Sequence, residues 1–106
     1  MKQEKIPGIP GPQTESILNL FKSGFPKKIE IVLFGSRAKG NHREGSDIDL
    51  AVKGEKISLD DRDAWLSKYE SLNLPWRLDI VVYRLIEEPA LKEHIDRVGK
   101  TVLVIA

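Results

Sequence analysis

Four short runs rich in β-branched and aliphatic residues constrain this chain more than anything else. They are residues 28–34 (KIEIVLF), 47–53 (DIDLAVK), 77–83 (RLDIVVY) and 100–106 (KTVLVIA). Each has the length and composition of a strand, and the first two stop at Gly35 and Gly54. The segments between them carry helix signals. Ser58 and Asp61 stand at capping-box spacing and open a helix to about Leu72, with Trp65, Tyr69 and Leu72 on one face. Pro75 breaks the chain before the third strand. Pro89 suits the first turn of a last helix, whose Leu91, Ile95 and Val98 form an apolar stripe ended by Gly99. An earlier helix over residues 14–22 groups Ile17, Leu18 and Phe21, and Gly24 with Pro26 should end it. The order α-β-loop-β-α-β-α-β predicts an α/β (α+β) fold, a single mixed β-sheet of about four strands with flanking helices. It leaves open whether the helices cover one face or both.

With 106 residues there is room for one core and none for a separate substrate domain. Residues 1–12 include Pro7, Gly8, Pro10, Gly11 and Pro12, and read as a flexible N-terminal arm ahead of a domain over residues 13–106. Lys and Arg number 17 against 16 for Asp and Glu, a balance that argues against general nucleic-acid binding by charge. The absence of cysteine excludes disulfides, thiolate nucleophiles and Cys-based zinc sites. No apolar run approaches the roughly 20 residues of a membrane-spanning helix. No secretion signal is visible, so a cytoplasmic location is expected.

Within the second strand, side chains alternate, so Asp47 and Asp49 share a face while Ile48, Leu50 and Val52 take the other. Two carboxylates with α-carbons about 6.5–7 Å apart on one rim repel unless cations meet them. Carboxylate oxygens suit Mg²⁺, which keeps positions for water and phosphate, and two such ions can clamp an in-line phosphoryl displacement. By itself the pair also fits a solvated edge strand, or ion pairs to Arg37, Arg43 or Lys53. An EF-hand fails because Val52 stands where its loop needs glycine. The turn at Gly35 and Ser36 ends the first strand, and its glycine, successive amides and hydroxyl suit phosphate oxygens. It is not a P-loop, since Asn41 and His42 follow Gly40, and it does not match the GxGxxG dinucleotide-binding turn either. One helical turn fits near residues 36–39. A third carboxylate, Asp79, interrupts the apolar run LDIVV. It joins the pair if the third strand lies beside the second, and otherwise suits a partner such as Arg77 or Arg84.

Gly35-Ser36, ten residues, Asp47-x-Asp49 and a later strand aspartate together resemble the minimal nucleotidyltransferases of the DNA polymerase β superfamily. The string GSRAKG followed by SDIDLAV strengthens the likeness, and LDIVVY extends it over most of the chain. The resemblance implies ATP as donor and two Mg²⁺ ions. It implies Asp47, Asp49 and Asp79 as metal ligands, with Asp79 also the base. Gly35 and Ser36 would hold the triphosphate, and Arg37 would neutralise phosphate charge. Lys39 replaces an arginine common in the family. Short relatives act as antitoxins of HEPN-domain toxins by moving AMP onto a toxin tyrosine, which makes a HEPN toxin the expected partner. Two alternatives stay open, an antitoxin that neutralises by contact alone and an aminoglycoside-type small-molecule nucleotidyltransferase. His94 reads as a helix-margin residue and His42 as solvated. Trp65 and Tyr69 read as a core-facing stripe rather than a partner surface, and Trp76 as packing beneath the third strand rather than stacking on adenine.

Overall fold

The computed structural model describes residues 5–22 and 28–105. The expected helix stop at Gly24 and Pro26, residues 1–4 of the expected arm, and Ala106 lie outside them. Among the described residues, four helices and four strands follow in the order α1 (Gly11–Lys22), β1 (Ile29–Phe34), α2 (Gly35–Lys39), β2 (Ile48–Lys53), α3 (Leu59–Glu70), β3 (Leu78–Val82), α4 (Pro89–Val98) and β4 (Lys100–Ile105). A 3₁₀ turn at Tyr83–Leu85 joins β3 to the approach of α4.

The strands form one mixed sheet in the order β3-β2-β1-β4. β1 runs antiparallel to both β2 and β4, whereas β2 and β3 are parallel. A parallel pair needs a crossover connection, and α3 supplies it. Its start carries the expected capping box, with Ser58 Oγ accepting from the Asp61 amide and the Asp61 carboxylate accepting from the Ser58 amide.

Helices cover both faces, which settles the point the sequence left open. On one face Ile31, Leu33, Ile48, Leu50, Val52 and Ile80 pack against α1 and α3, with Phe21 and Trp65 ring centroids 5.0 Å apart. Tyr69 and Trp76 belong to this side as well, and the Tyr69 hydroxyl donates to the Trp76 carbonyl at 2.6 Å. On the opposite face a smaller cluster of Val32, Phe34 and Ala51 is covered by Ile95, Leu91 and Val98 of α4.

The arm expected over residues 1–12 is corrected from residue 5 onward. Ile6 and Ile9 are buried in the main core, 2% and 8% exposed, and the Ile9 amide donates to the Ile6 carbonyl. Helix α1 also starts earlier than expected, at Gly11 rather than residue 14. Pro12 is tolerated there because the first helical turn needs no amide donor at that position. The prolines and glycines forbid a regular element, but two isoleucines spaced three apart bring that irregular backbone onto the core.

Candidate active site

The site lies where β1 ends and β2 and β3 begin, on the face that α4 covers. Sheet pairing sets Asp49 beside Phe34 of β1 and directly beside Asp79 of β3. Neighbouring strands stand about 4.8 Å apart, and paired residues of adjacent strands direct their side chains to one face. The alternation within β2 is as expected, since Ile48, Leu50 and Val52 are wholly buried on the other side. Asp79 is therefore beside the pair, on the outermost strand of the sheet and exposed.

Phe34 leads straight into Gly35, whose φ of +75° belongs to the left-handed region. A β-carbon on Gly35 would overlap Asp49 Oδ2, so glycine is required both for the turn and for the carboxylate's close approach. The single helical turn expected after it is α2, closed by Gly40 at φ +82°. Gly35 and Ser36 are half-buried alongside the carboxylates.

Burial pushes the Asp49 carboxyl above its ordinary range, and the neighbouring charges of Asp79 and Asp47 push it further. His94 and Arg37 act in the opposite direction. Among the described residues no ion pair reaches any of the three aspartates. A cluster of like charges with a disfavoured ionised form is what a hard divalent cation relieves, and oxygen donors of this kind suit Mg²⁺. Among the described residues no group of three or more His, Cys, Asp or Glu side chains is gathered closely enough to hold a metal ion by itself.

Arg37 takes a different place from the one expected. It is 1% exposed, and its nitrogens donate to main-chain carbonyls: Nη1 to Pro7 at 2.7 Å, and Nη2 and Nε to Ser46 at 2.7 and 3.3 Å. Burial lowers its pKa, while Asp47 and Asp49 oppose that shift. The guanidinium is thus committed to backbone oxygens rather than held out toward a phosphate. His94, set aside as a helix-margin residue, stands at the site instead. Its ring meets Phe34 edge-on with centroids 6.2 Å apart, and its charge is felt by Asp49. Only the packing of α4 over the ends of β1 and β2 brings it there, and no motif marks it in the sequence.

A mixed sheet with a glycine turn at one strand end and carboxylates across the next two is the arrangement expected of a nucleotidyltransferase. The chain belongs to the nucleotidyltransferase domain family, whose model matches residues 15–102. Among curated proteins it is similar to "Probable protein adenylyltransferase MntA" of Haemophilus influenzae, 36% identical over 56 residues. That match covers 52% of this chain, and the chain spans about half the length of that relative (49%). Among solved structures it is similar to a toxin–antitoxin crystal structure with AMP-PNP, with TM-score 0.68, 28% identity, and coverage of 84% of this chain and 71% of that one. A solved structure described as "Structure of putative minimal nucleotidyltransferase" gives TM-score 0.61 and 34% identity, covering 83% of this chain and 87% of that one. The third similarity is to the structure of a tri-AMPylated Shewanella oneidensis HEPN toxin in complex with MNT antitoxin. It has TM-score 0.61 and 25% identity, with 84% of this chain and 67% of that one covered.

Proposed function

We propose that this chain transfers AMP from ATP to a hydroxyl, a tyrosine hydroxyl, of a HEPN-domain toxin and thereby acts as its antitoxin. The observation that carries this reading is the pairing of Asp49 with Asp79 in register, beside the Gly35–Ser36 turn. Family membership supports nucleotide chemistry, and the adenylyltransferase relative and the toxin–antitoxin neighbours support a protein acceptor.

In this reading the turn amides and the Ser36 hydroxyl hold the triphosphate, and Gly35 lets the backbone come close. Asp47, Asp49 and Asp79 are the residues that would hold two Mg²⁺ ions. When bound, such ions neutralise charge on the phosphates and acidify the attacking hydroxyl. Asp79 accepts the proton of that hydroxyl, which attacks the α-phosphorus in line as pyrophosphate leaves. Its exposure on the outermost strand leaves it open to a hydroxyl carried on another protein.

The test is an intact-mass measurement on a HEPN toxin mixed with the chain, ATP and Mg²⁺. Gain of one or more AMP units by the toxin is the expected result. A toxin inhibited at unchanged mass would replace transfer with neutralisation by contact. Adenylation of an aminoglycoside with no toxin present would move the acceptor to a small molecule.

A further inference from the structure

We propose that residues 6–10 act as a strap on the active site, with Arg37 as the positioning residue through which the strap holds the loop carrying Asp47. The proposal rests on the reading of Asp47 as a metal ligand but concerns residues outside that ligand set. Arg37 lies in α2, immediately after Ser36, and from there its guanidinium spans two distant pieces of backbone. One is the carbonyl of Pro7, thirty residues earlier in sequence, and the other is the carbonyl of Ser46, which immediately precedes Asp47.

The strap end of this bridge is well anchored. Ile6 and Ile9 are in the main core, and Thr14 Oγ1 donates to the Ile9 carbonyl at 3.2 Å. Gly8 has φ +81°, and a β-carbon there would stand 2.6 Å from Arg37 Nη1 and 2.8 Å from His42 Nε2. The strap therefore presses against both the guanidinium and the loop, and only glycine leaves room. His42 Nδ1 is buried with no hydrogen-bond partner among the described residues, so little but packing holds that side chain in place.

The loop end is equally defined. The Ser46 amide donates to the Arg43 carbonyl at 3.0 Å, and the Arg43 amide donates to Ser46 Oγ at 2.8 Å, closing a tight turn. On the far side of Asp47, the Ile48 amide donates to the Arg77 carbonyl at 2.8 Å. Asp47 is exposed but sits between two pinned neighbours, one held by Arg37 and one by the start of the parallel pairing. Groups that orient a metal ligand in this way commonly change metal affinity or activity by about 10–100-fold when altered. Lysine in place of arginine keeps the charge but cannot donate in two directions from one planar fork.

The experiment compares wild-type chain with Arg37→Lys and Gly8→Ala in three measurements. These are hydrogen exchange of the amides of residues 41–47, titration with Mn²⁺ alone, and the KM for ATP in AMP transfer. Both variants should exchange faster over residues 41–47 and bind Mn²⁺ about 10–100-fold more weakly, with KM for ATP little changed. Wild-type exchange and Mn²⁺ affinity in Arg37→Lys, with KM for ATP raised instead, would make Arg37 a phosphate contact and overturn the strap. Wild-type behaviour of Gly8→Ala in all three measurements would also overturn it. If Arg37→Lys does not fold, Gly8→Ala decides alone, since its site is exposed and irregular. Failure of the wild-type chain to transfer AMP would remove the proposed function but not the strap, because exchange and Mn²⁺ titration need neither ATP nor toxin.

Discussion

The two faces of the sheet are built from the same strands and do opposite work. Toward α1 and α3, β2 presents Ile48, Leu50 and Val52, all wholly buried among aliphatic and aromatic neighbours. Toward α4 the same strand presents Asp49 and Ala51, and the apolar cluster there is small. One face gains its stability from burial of apolar surface. The other accepts a partly buried carboxylate beside two more of like charge, an arrangement that disfavours the ionised form and opposes folding. Stability and chemistry are thus separated by the two-residue period of a strand, and substitutions on the two faces should fail in different ways.

The largest difference should appear in activity. Asp47→Asn and Asp49→Asn should each reduce AMP transfer to a HEPN toxin by about a thousandfold or more, the loss of several kcal/mol of charge stabilisation. Their denaturant midpoints should stay at or above that of wild type. Transfer retained in either would remove the carboxylate face from the chemistry. The reverse signature belongs to Leu50→Ala on the opposite face of the same strand. Urea unfolding should show a loss of about 3 kcal/mol, with the folded fraction still able to transfer AMP.

Away from the sheet, Ser58→Ala removes the hydroxyl that caps α3 and should lower stability by about 1 kcal/mol without touching transfer. The smallest effect is on pH dependence in the metal-free protein. Asp49 holds its proton more tightly folded than unfolded, so its contribution favours the folded state at low pH. That contribution is lost as pH rises from the ordinary aspartate range through the raised pKa of Asp49. Asp49→Asn should therefore flatten the fall in melting temperature over that window. An unchanged profile would mean that the carboxylate is not disfavoured on this face.

Much of the site was legible because it is local. Gly35, Ser36, Asp47 and Asp49 lie within fifteen residues, and turn chemistry with strand alternation places them without reference to the rest of the chain. Asp79 was legible as a carboxylate out of place in an apolar strand, but its position depended on which strand β3 would join. His94 carried no signal, since a histidine at the margin of an amphipathic helix is ordinary. The motif around Arg37 suggests a phosphate contact, whereas the fold turns it toward two backbone carbonyls. In the N-terminal stretch the prolines and glycines exclude regular structure. They do not exclude packing, and Ile6 and Ile9 pack.

What the sequence by itself determined is the set of elements, the capping of α3, the glycine turn and the alternation along β2. All of these follow from interactions within a few residues, where covalent geometry limits the choices. What only the tertiary structure decided is the register that sets Asp79 beside Asp49, the helix on each face, the nearness of His94, and the reach of Arg37 from Pro7 to Ser46. Those contacts join residues far apart along the chain, and they form because burial of the whole core outweighs what any one segment prefers alone.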